Sequence, residues 1–382
     1  MTRDLHALTS LRGVAALSVA MLHVHYDFGY SWNVEDYTLY LDKAYLWVDF
    51  FFILSGFILS HVYAGDFVDG ASGRAVRRFL IKRFARIYPL HLLTLCFFWA
   101  VALLKLSVGA RTAGHVDPAL IPTHLFLMQA WGWPDGLYWN YPSWSISAEA
   151  AAYLLFPWLC LVVGPARRAQ ILLLAGGCLA GLALLQALDL GRTLKHATYD
   201  TGAIRCLLEF VLGMLLYRAH MVLSSSPGPG LLVDRLGGDA VAFGSFAALV
   251  VAMHLGAPEL AIIALCALAI LTASLNRGAF SRCFSVRPLL WLGAVSYAVY
   301  MLHAPLDLVW GPIATRLPDS WVGDPIQAAA YFAAFLLALL IAAGLTHRFF
   351  EVPARTYLTQ FASIRLAQHH LQQLPMNNGP ID

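Results

Sequence analysis

An arginine and a histidine share the first apolar stretch of the chain, at Arg12 and His23. Eleven residues of α-helix place them about 20° apart in rotation and about 16 Å apart along the axis. They therefore share a face, with the guanidinium near one end of the stretch and the imidazole towards the other. An imidazole has an ordinary pKa near 6.5, stays mostly neutral at working pH, and serves well as a general base. The run VDFFFILSGFILS carries Asp49 near its start, at about the depth of His23. A carboxylate in reach of an imidazole fixes its tautomer and raises its basicity. The plain alternative is that Asp49 caps or snorkels. Glu149 and Tyr153, at i and i+4 after PSWSIS, share another helix face. Asp49 or Glu149 is expected to orient His23, and Tyr153 is either an oxyanion donor or a packing partner. Arg83 and Arg86 sit three apart in RRFLIKRFARIYPLH. Paired guanidinium groups suit bidentate phosphate binding, and Arg12 is placed to help guide such a donor. Ordinary charge anchoring accounts for any one of these arginines by itself. Arg205 and Glu209 are expected to pair with each other. Ser55 and Gly56 mark a close packing spot, and Ser296, Tyr297, Tyr300 and His303 form a polar stripe.

The elements that must hold these groups are set by composition. Of 382 residues, 59% are hydrophobic and 12% charged, against about a quarter charged in a soluble domain. So apolar a chain reads as an all-α integral membrane bundle. A helical span needs about 20 apolar residues. Ten spans follow, at 8–25, 44–64, 80–106, 143–163, 169–189, 203–221, 240–256, 259–276, 288–311 and 326–350. Residues 119–131 are apolar but too short to cross, so they are expected to be interfacial or re-entrant. The stretch SSSPGPG at 224–230 reads as a flexible loop. Residues 1–356 then form one transmembrane domain and 357–382 a short cytoplasmic tail.

Lys and Arg orient the bundle. With the N-terminus inside, seventeen fall in cytoplasmic segments, from Arg3 and the Arg74–Arg86 group to Arg348, Arg355 and Arg365. Six fall outside: Lys43, Lys105, Arg111, Arg192, Lys195 and Arg316. Both termini are therefore expected in the cytoplasm. A signal peptide cut near Ser18–Ala20 is the competing reading of the start. It would leave nine spans and spoil this asymmetry. With a net charge of +3 and no basic tract outside the span flanks, nucleic-acid binding is excluded as the main role. The six cysteines lie in or beside apolar runs without metal-ligand spacing, and no metal is expected.

Ionisable groups inside hydrocarbon cost about 2.5–3.5 kcal/mol each on insertion scales, so each is a functional candidate. The outer half gathers His23, Asp49, Glu149, Arg205, Glu209 and His303, while the inner mouth gathers arginines. That layout fits a phosphate-bearing donor entering from the cytoplasm and a proton-transfer centre nearer the outside. Arg12–x10–His23, VDFFFILSGF, Arg83-x-x-Arg86 with IYP, Glu149-x-x-x-Tyr153 after PSWSIS, LGAVSYAVYMLH and FEVPAR together resemble the membrane acyltransferase-3 family. The resemblance covers residues about 5 to 356. It implies an O-acyltransferase of the cell membrane, for a bacterium the inner membrane. Such an enzyme takes an acyl group, usually acetyl, from acyl-CoA and gives it to a carbohydrate hydroxyl, here expected on an exopolysaccharide or other surface glycan. Association with polysaccharide-synthesis machinery is a further expectation. An added hydrolase-like domain, found in some members, is not expected after the spans.

A transporter or flippase for a glycan is the rival reading. It is disfavoured because no inverted repeat or matching pair of broken helices is visible. The topology is testable at once. Reporter fusions at residues 224–230 and at the C-terminus should both report cytoplasm; a periplasmic signal from either would break the charge-based orientation.

Overall fold

A computed structural model describes residues 5–28, 34–109, 116–188, 193–225, 231–314, 316 and 325–361. Long stretches of Leu, Ala, Val and Phe give helices wherever backbone groups must bond within their own segment, as the bilayer requires. We number the longer helices α1 (His6–Phe28), α2 (Trp47–Tyr63), α3 (Gly73–Ser107), α4 (Trp144–Val163) and α5 (Arg168–Leu188). They continue with α6 (Gly202–Ser224), α7 (Asp239–His254), α8 (Glu259–Leu275), α9 (Arg287–Ala314) and α10 (Pro325–Thr346). No strand occurs among the described residues. Among the described residues, eight helices are long and apolar enough to cross a membrane. The other two, α7 and α8, lie where spans were expected but have only 16 and 17 residues.

One expected boundary changes. The last helix does not stop at residue 350. It passes through a π-helical turn, His347–Glu351, and stays helical through residues 352–361. A π turn holds an extra residue and re-aims the side chains around it. The remainder of the expected tail, 362–382, lies outside the described residues, as do 226–230 of the expected loop and residues 1–4. Residues 119–131 do not span. They form short turns, Pro118–Leu120 and Ile121–Leu125, followed by a loop tied to the start of α4. Ser147 Oγ donates to Leu127 O at 2.7 Å and accepts from Ala130 N at 3.1 Å. Leu127 (φ 54°) and Trp139 (φ 53°) both lie in the left-handed region. For bulky side chains this conformation stores strain that only surrounding structure can hold.

Glycines set two close helix crossings. A Cβ on Gly56 would overlap Phe210 O, and one on Gly213 would overlap Ile53 O. The backbones of α2 and α6 therefore touch reciprocally, the small-residue packing that lipid-embedded helices use. The same holds for α1 and α9, where a Cβ on Gly293 would overlap Thr9 O and one on Gly13 would meet Gly293 N at 2.6 Å. Contacts further along each pair give its direction: Asp49 meets Arg205 and Phe57 meets His220, while Arg12 meets Ser296 and His23 meets His303, so both pairs run parallel. Parallel pairing of the first with the ninth and of the second with the sixth is what alternating spans require.

Replacing Gly213 by Val should lower the detergent-solubilised melting temperature sharply, since overpacking typically costs 1–3 kcal/mol or more. Gly176 has nothing within 4 Å of its would-be Cβ, so Gly176→Ala should not lower the melting temperature. Equal behaviour of the two variants would refute the close crossing.

Candidate active site

The face shared by Arg12 and His23 is turned towards α9. Arg12 Nε donates to Ser296 Oγ at 3.0 Å, and its Nη2 donates to Gly293 O at 2.7 Å. Further along α1, the His23 ring lies 4.7 Å from that of His303 and 5.2 Å from Tyr141, centroid to centroid. His23 Nδ1 is 2.9 Å from Val19 O. A carbonyl can only accept, so Nδ1 carries the hydrogen and the neutral ring keeps its lone pair on Nε2.

This corrects the expected orienting role of Asp49. Both Asp49 oxygens are held by Arg205, at 3.0 Å from Nε and 2.5 Å from Nη2, in a fully buried two-pronged pair. Arg205 also donates to Leu194 O and Ala197 O, at 2.6 and 3.2 Å. The expected pairing of Arg205 with Glu209 exists only as a looser 3.7 Å approach. A backbone carbonyl of its own helix, not Asp49, fixes the His23 tautomer.

Glu149 and Tyr153 do share a face, and that face borders a cavity of about 150 Å³. Ser55, expected as a packing position, also donates a hydrogen bond to Glu149. The walls are largely apolar, with Val48, Phe51, Phe52 and Ile87 among them. Arg12, Arg83 and Arg86 close one end, while Ser145 and Tyr300 line the cavity elsewhere. Ser145 Oγ and Tyr300 Oη are 2.7 Å apart. The Tyr300 ring is 5.7 Å from that of His303, which leads in turn to His23. His23 itself is not part of the cavity wall; it stands beyond Tyr300 and His303.

The three arginines open on their other side into a wider vestibule of about 620 Å³, lined also by Lys82, His347 and Arg355. Here Arg83 Nη2 donates to Tyr63 Oη at 2.9 Å, and its Nε is buried without a hydrogen-bond partner. Arg86 is paired with Glu351, whose second oxygen lies 3.0 Å from His347 Nδ1. The π-helical turn presents both groups from α10. Glu351 is 2% exposed, so without Arg86 it would be a buried carboxylate left with His347 alone. Nothing in the spacing ties positions 86 and 351, and the FEVPAR segment was the one sequence signal available. His303 was visible as part of a stripe, yet its place beside His23 was not. It is fully buried, and neither ring nitrogen has a hydrogen-bond partner within ordinary geometry. No cluster of three or more His, Cys, Asp or Glu able to hold a metal is present among the described residues.

Residues 5–347 match the family model described as an acyltransferase domain. Among curated proteins, the acyltransferase MdmB of Streptomyces mycarofaciens is 36% identical over 164 residues, covering 41% of this chain and 40% of that protein. The putative peptidoglycan O-acetyltransferase YrhL of Bacillus subtilis (strain 168) is 24% identical over 97% of this chain and 58% of its own length. The peptidoglycan O-acetyltransferase OatA of Listeria monocytogenes is 25% identical over 91% of this chain and 55% of that protein. The chain thus spans roughly two fifths to three fifths of these three relatives. No solved structure matches it.

If Asp49 holds the bundle and not the imidazole, Asp49→Asn should cost about 1.5–3 kcal/mol, because Arg205 loses its two-pronged partner and keeps only Glu209 at 3.7 Å. Thermal unfolding in detergent checks this. An unchanged midpoint accompanied by lost activity would return Asp49 to the catalytic group.

Proposed function

We propose a reaction for this chain, which belongs to the acyltransferase-domain family over residues 5–347: transfer of an acyl group, most simply acetyl, from acyl-CoA to a carbohydrate hydroxyl. The observation that carries this reading is a two-part track, a wide basic vestibule narrowing through Arg12, Arg83 and Arg86 into a small apolar-walled cavity. A coenzyme A thioester has the same two parts, a phosphate-rich head and a slim arm ending in the reactive carbonyl. The guanidinium groups would take the phosphates, and the cavity would take the arm. With the arginine mouth on the cytoplasmic side, as the charge asymmetry orients it, the thioester is carried towards the outer half. The relatives named for peptidoglycan O-acetylation make a cell-surface glycan the natural acceptor class, and an exopolysaccharide fits equally.

His23 is the base. Its Nε2 takes the acceptor's hydroxyl proton as the oxygen attacks the thioester carbonyl. The tetrahedral intermediate collapses with cleavage of the carbon–sulfur bond, and the departing thiolate takes the proton back from the imidazolium. Tyr300 lies between cavity and imidazole; its hydroxyl donates to Pro142 O at 3.1 Å and would turn from that carbonyl to donate to the oxyanion, a role for which Tyr153 is the alternative. Glu149, on the cavity wall with Ser55, supplies the negative charge that favours the imidazolium as it forms. A positioned imidazole contributes about 10²–10⁴-fold as a general base. In the alternative route His23 attacks the thioester itself and carries the acyl group, which gives ping-pong kinetics.

His23→Gln should retain the fold and CoA-dependent thermal stabilisation while lowering acyl transfer by at least about 10²-fold. Substantial transfer by this variant would remove His23 from the chemistry. An acyl adduct trapped on His23 without acceptor would establish the covalent route. Failure of the parent protein to turn over acetyl-CoA, with no CoA-dependent stabilisation, would favour a transporter.

A further inference from the structure

A second cavity, of about 410 Å³, shares no lining residue with the donor track. It lies where α2, α6 and α8 end and where α1 begins. His61 comes from the last turn of α2, His220 from α6 about one turn before its end, and Ser274 from the end of α8. Arg277 and Ser281 follow α8, and His6 belongs to the first turn of α1. Three imidazoles and a guanidinium thus face one space, and no carboxylate lines it among the described residues.

We propose that this cavity binds a soluble tetrahedral oxyanion, either free phosphate or the phosphate group of a small metabolite, and takes up protons as it does so. Two features of the backbone point this way. Leu5, His6 and Ala7 line the cavity at the amino end of α1, where helical N–H groups have no carbonyl of their own helix to meet and the dipole favours an anion. The carboxyl ends of α2, α6 and α8 favour protonated imidazoles. Three imidazolium groups and Arg277 would repel one another with nothing between them, and a bound dianion removes that repulsion. The donors are set for it. Ser274 Oγ donates to Leu271 O at 2.7 Å, so it accepts from His220 Nδ1 at 3.0 Å, which places a hydrogen on that nitrogen. His61 Nε2 is buried with no hydrogen-bond partner. Two neighbouring groups among the described residues bear on these imidazoles. Tyr217 of α6 lies against both His61 and His220, at 5.7 and 6.4 Å between ring centroids. Asp239, the carboxylate that bonds the lining residue Asn276, is held by Asn276 Nδ2 and by the Phe280 N–H, each at 3.0 Å.

The test uses the full chain in lipid-free detergent. Sulfate is the probe because, unlike phosphate, its charge is constant where imidazoles titrate. Thermal stabilisation by sulfate is compared with chloride at matched ionic strength, at pH 6 and pH 8. The expected result is a saturable stabilisation at least tenfold tighter at pH 6. Arg277→Gln, an exposed position, and His61→Gln should each weaken this pH-linked component by tenfold or more, while Arg83→Lys should leave it. Equal affinity at the two pH values, insensitivity to both substitutions, or loss in Arg83→Lys would overturn the proposal; the last would place the anion in the vestibule. A response seen only with anionic phospholipid nanodiscs would assign the site to lipid headgroups and overturn a soluble ligand.

Discussion

Charge inside hydrocarbon must be answered by another group, and the buried pair of Asp49 with Arg205 is where this chain meets that demand most completely. Neither side chain has measurable contact with solvent, and the pair joins α2 to α6. Such a pair gains only if its geometry is good and its remaining hydrogen-bond positions are filled. The Leu194 and Ala197 carbonyls fill them on the arginine. The geometry depends in turn on glycine. Because Gly56 and Gly213 let the two backbones touch, residues about two turns earlier on each helix come within ion-pair distance. Replacing either glycine by a larger residue would separate the charges as well as the helices.

The second glycine crossing does the same for chemistry. Gly13 and Gly293 hold α1 against α9, and Arg12 and His23 on the α1 face then meet polar groups of α9. Arg12 reaches Ser296 and the Gly293 carbonyl, while His23 reaches His303. The distance between the arginine mouth and the imidazole is the helical rise between Arg12 and His23, about 16 Å, and neither end can drift without breaking the crossing. Arg86, Glu351 and His347 brace the mouth from the side of α10. The proposed donor's phosphate would compete there with Glu351 for Arg86 but would find Arg83 with an unpartnered Nε.

Much of this was legible in the sequence, and what was not follows a physical pattern. Period and depth along one helix are local quantities. Arg12 and His23 were therefore placed on one face correctly, Glu149 and Tyr153 likewise, and residues 119–131 were recognised as too short to cross. Partners between helices are not local. Asp49 was matched by depth to His23, yet depth is shared by every helix at that level, and Arg205 stood at the same level with the stronger claim on a carboxylate. Ser55 looked like a packing residue because it precedes Gly56, and only the position of α4 shows it donating to Glu149. The π turn at His347–Glu351 leaves no mark in hydropathy, so the last helix was expected to end near residue 350. Helices α7 and α8 have the composition of spans but, at 16 and 17 residues, not the length.

The most direct test of the central claim, that one track carries acyl-CoA from an arginine mouth to an imidazole, is an experimental density map of the protein with coenzyme A bound. The account predicts the phosphates against Arg83 and Arg86, the arm running between Phe51, Phe52 and Ile87, and the sulfur on the Tyr300 side of Glu149. Coenzyme A bound outside the vestibule, or seated there with its thiol pointing back to the arginine mouth, would contradict it.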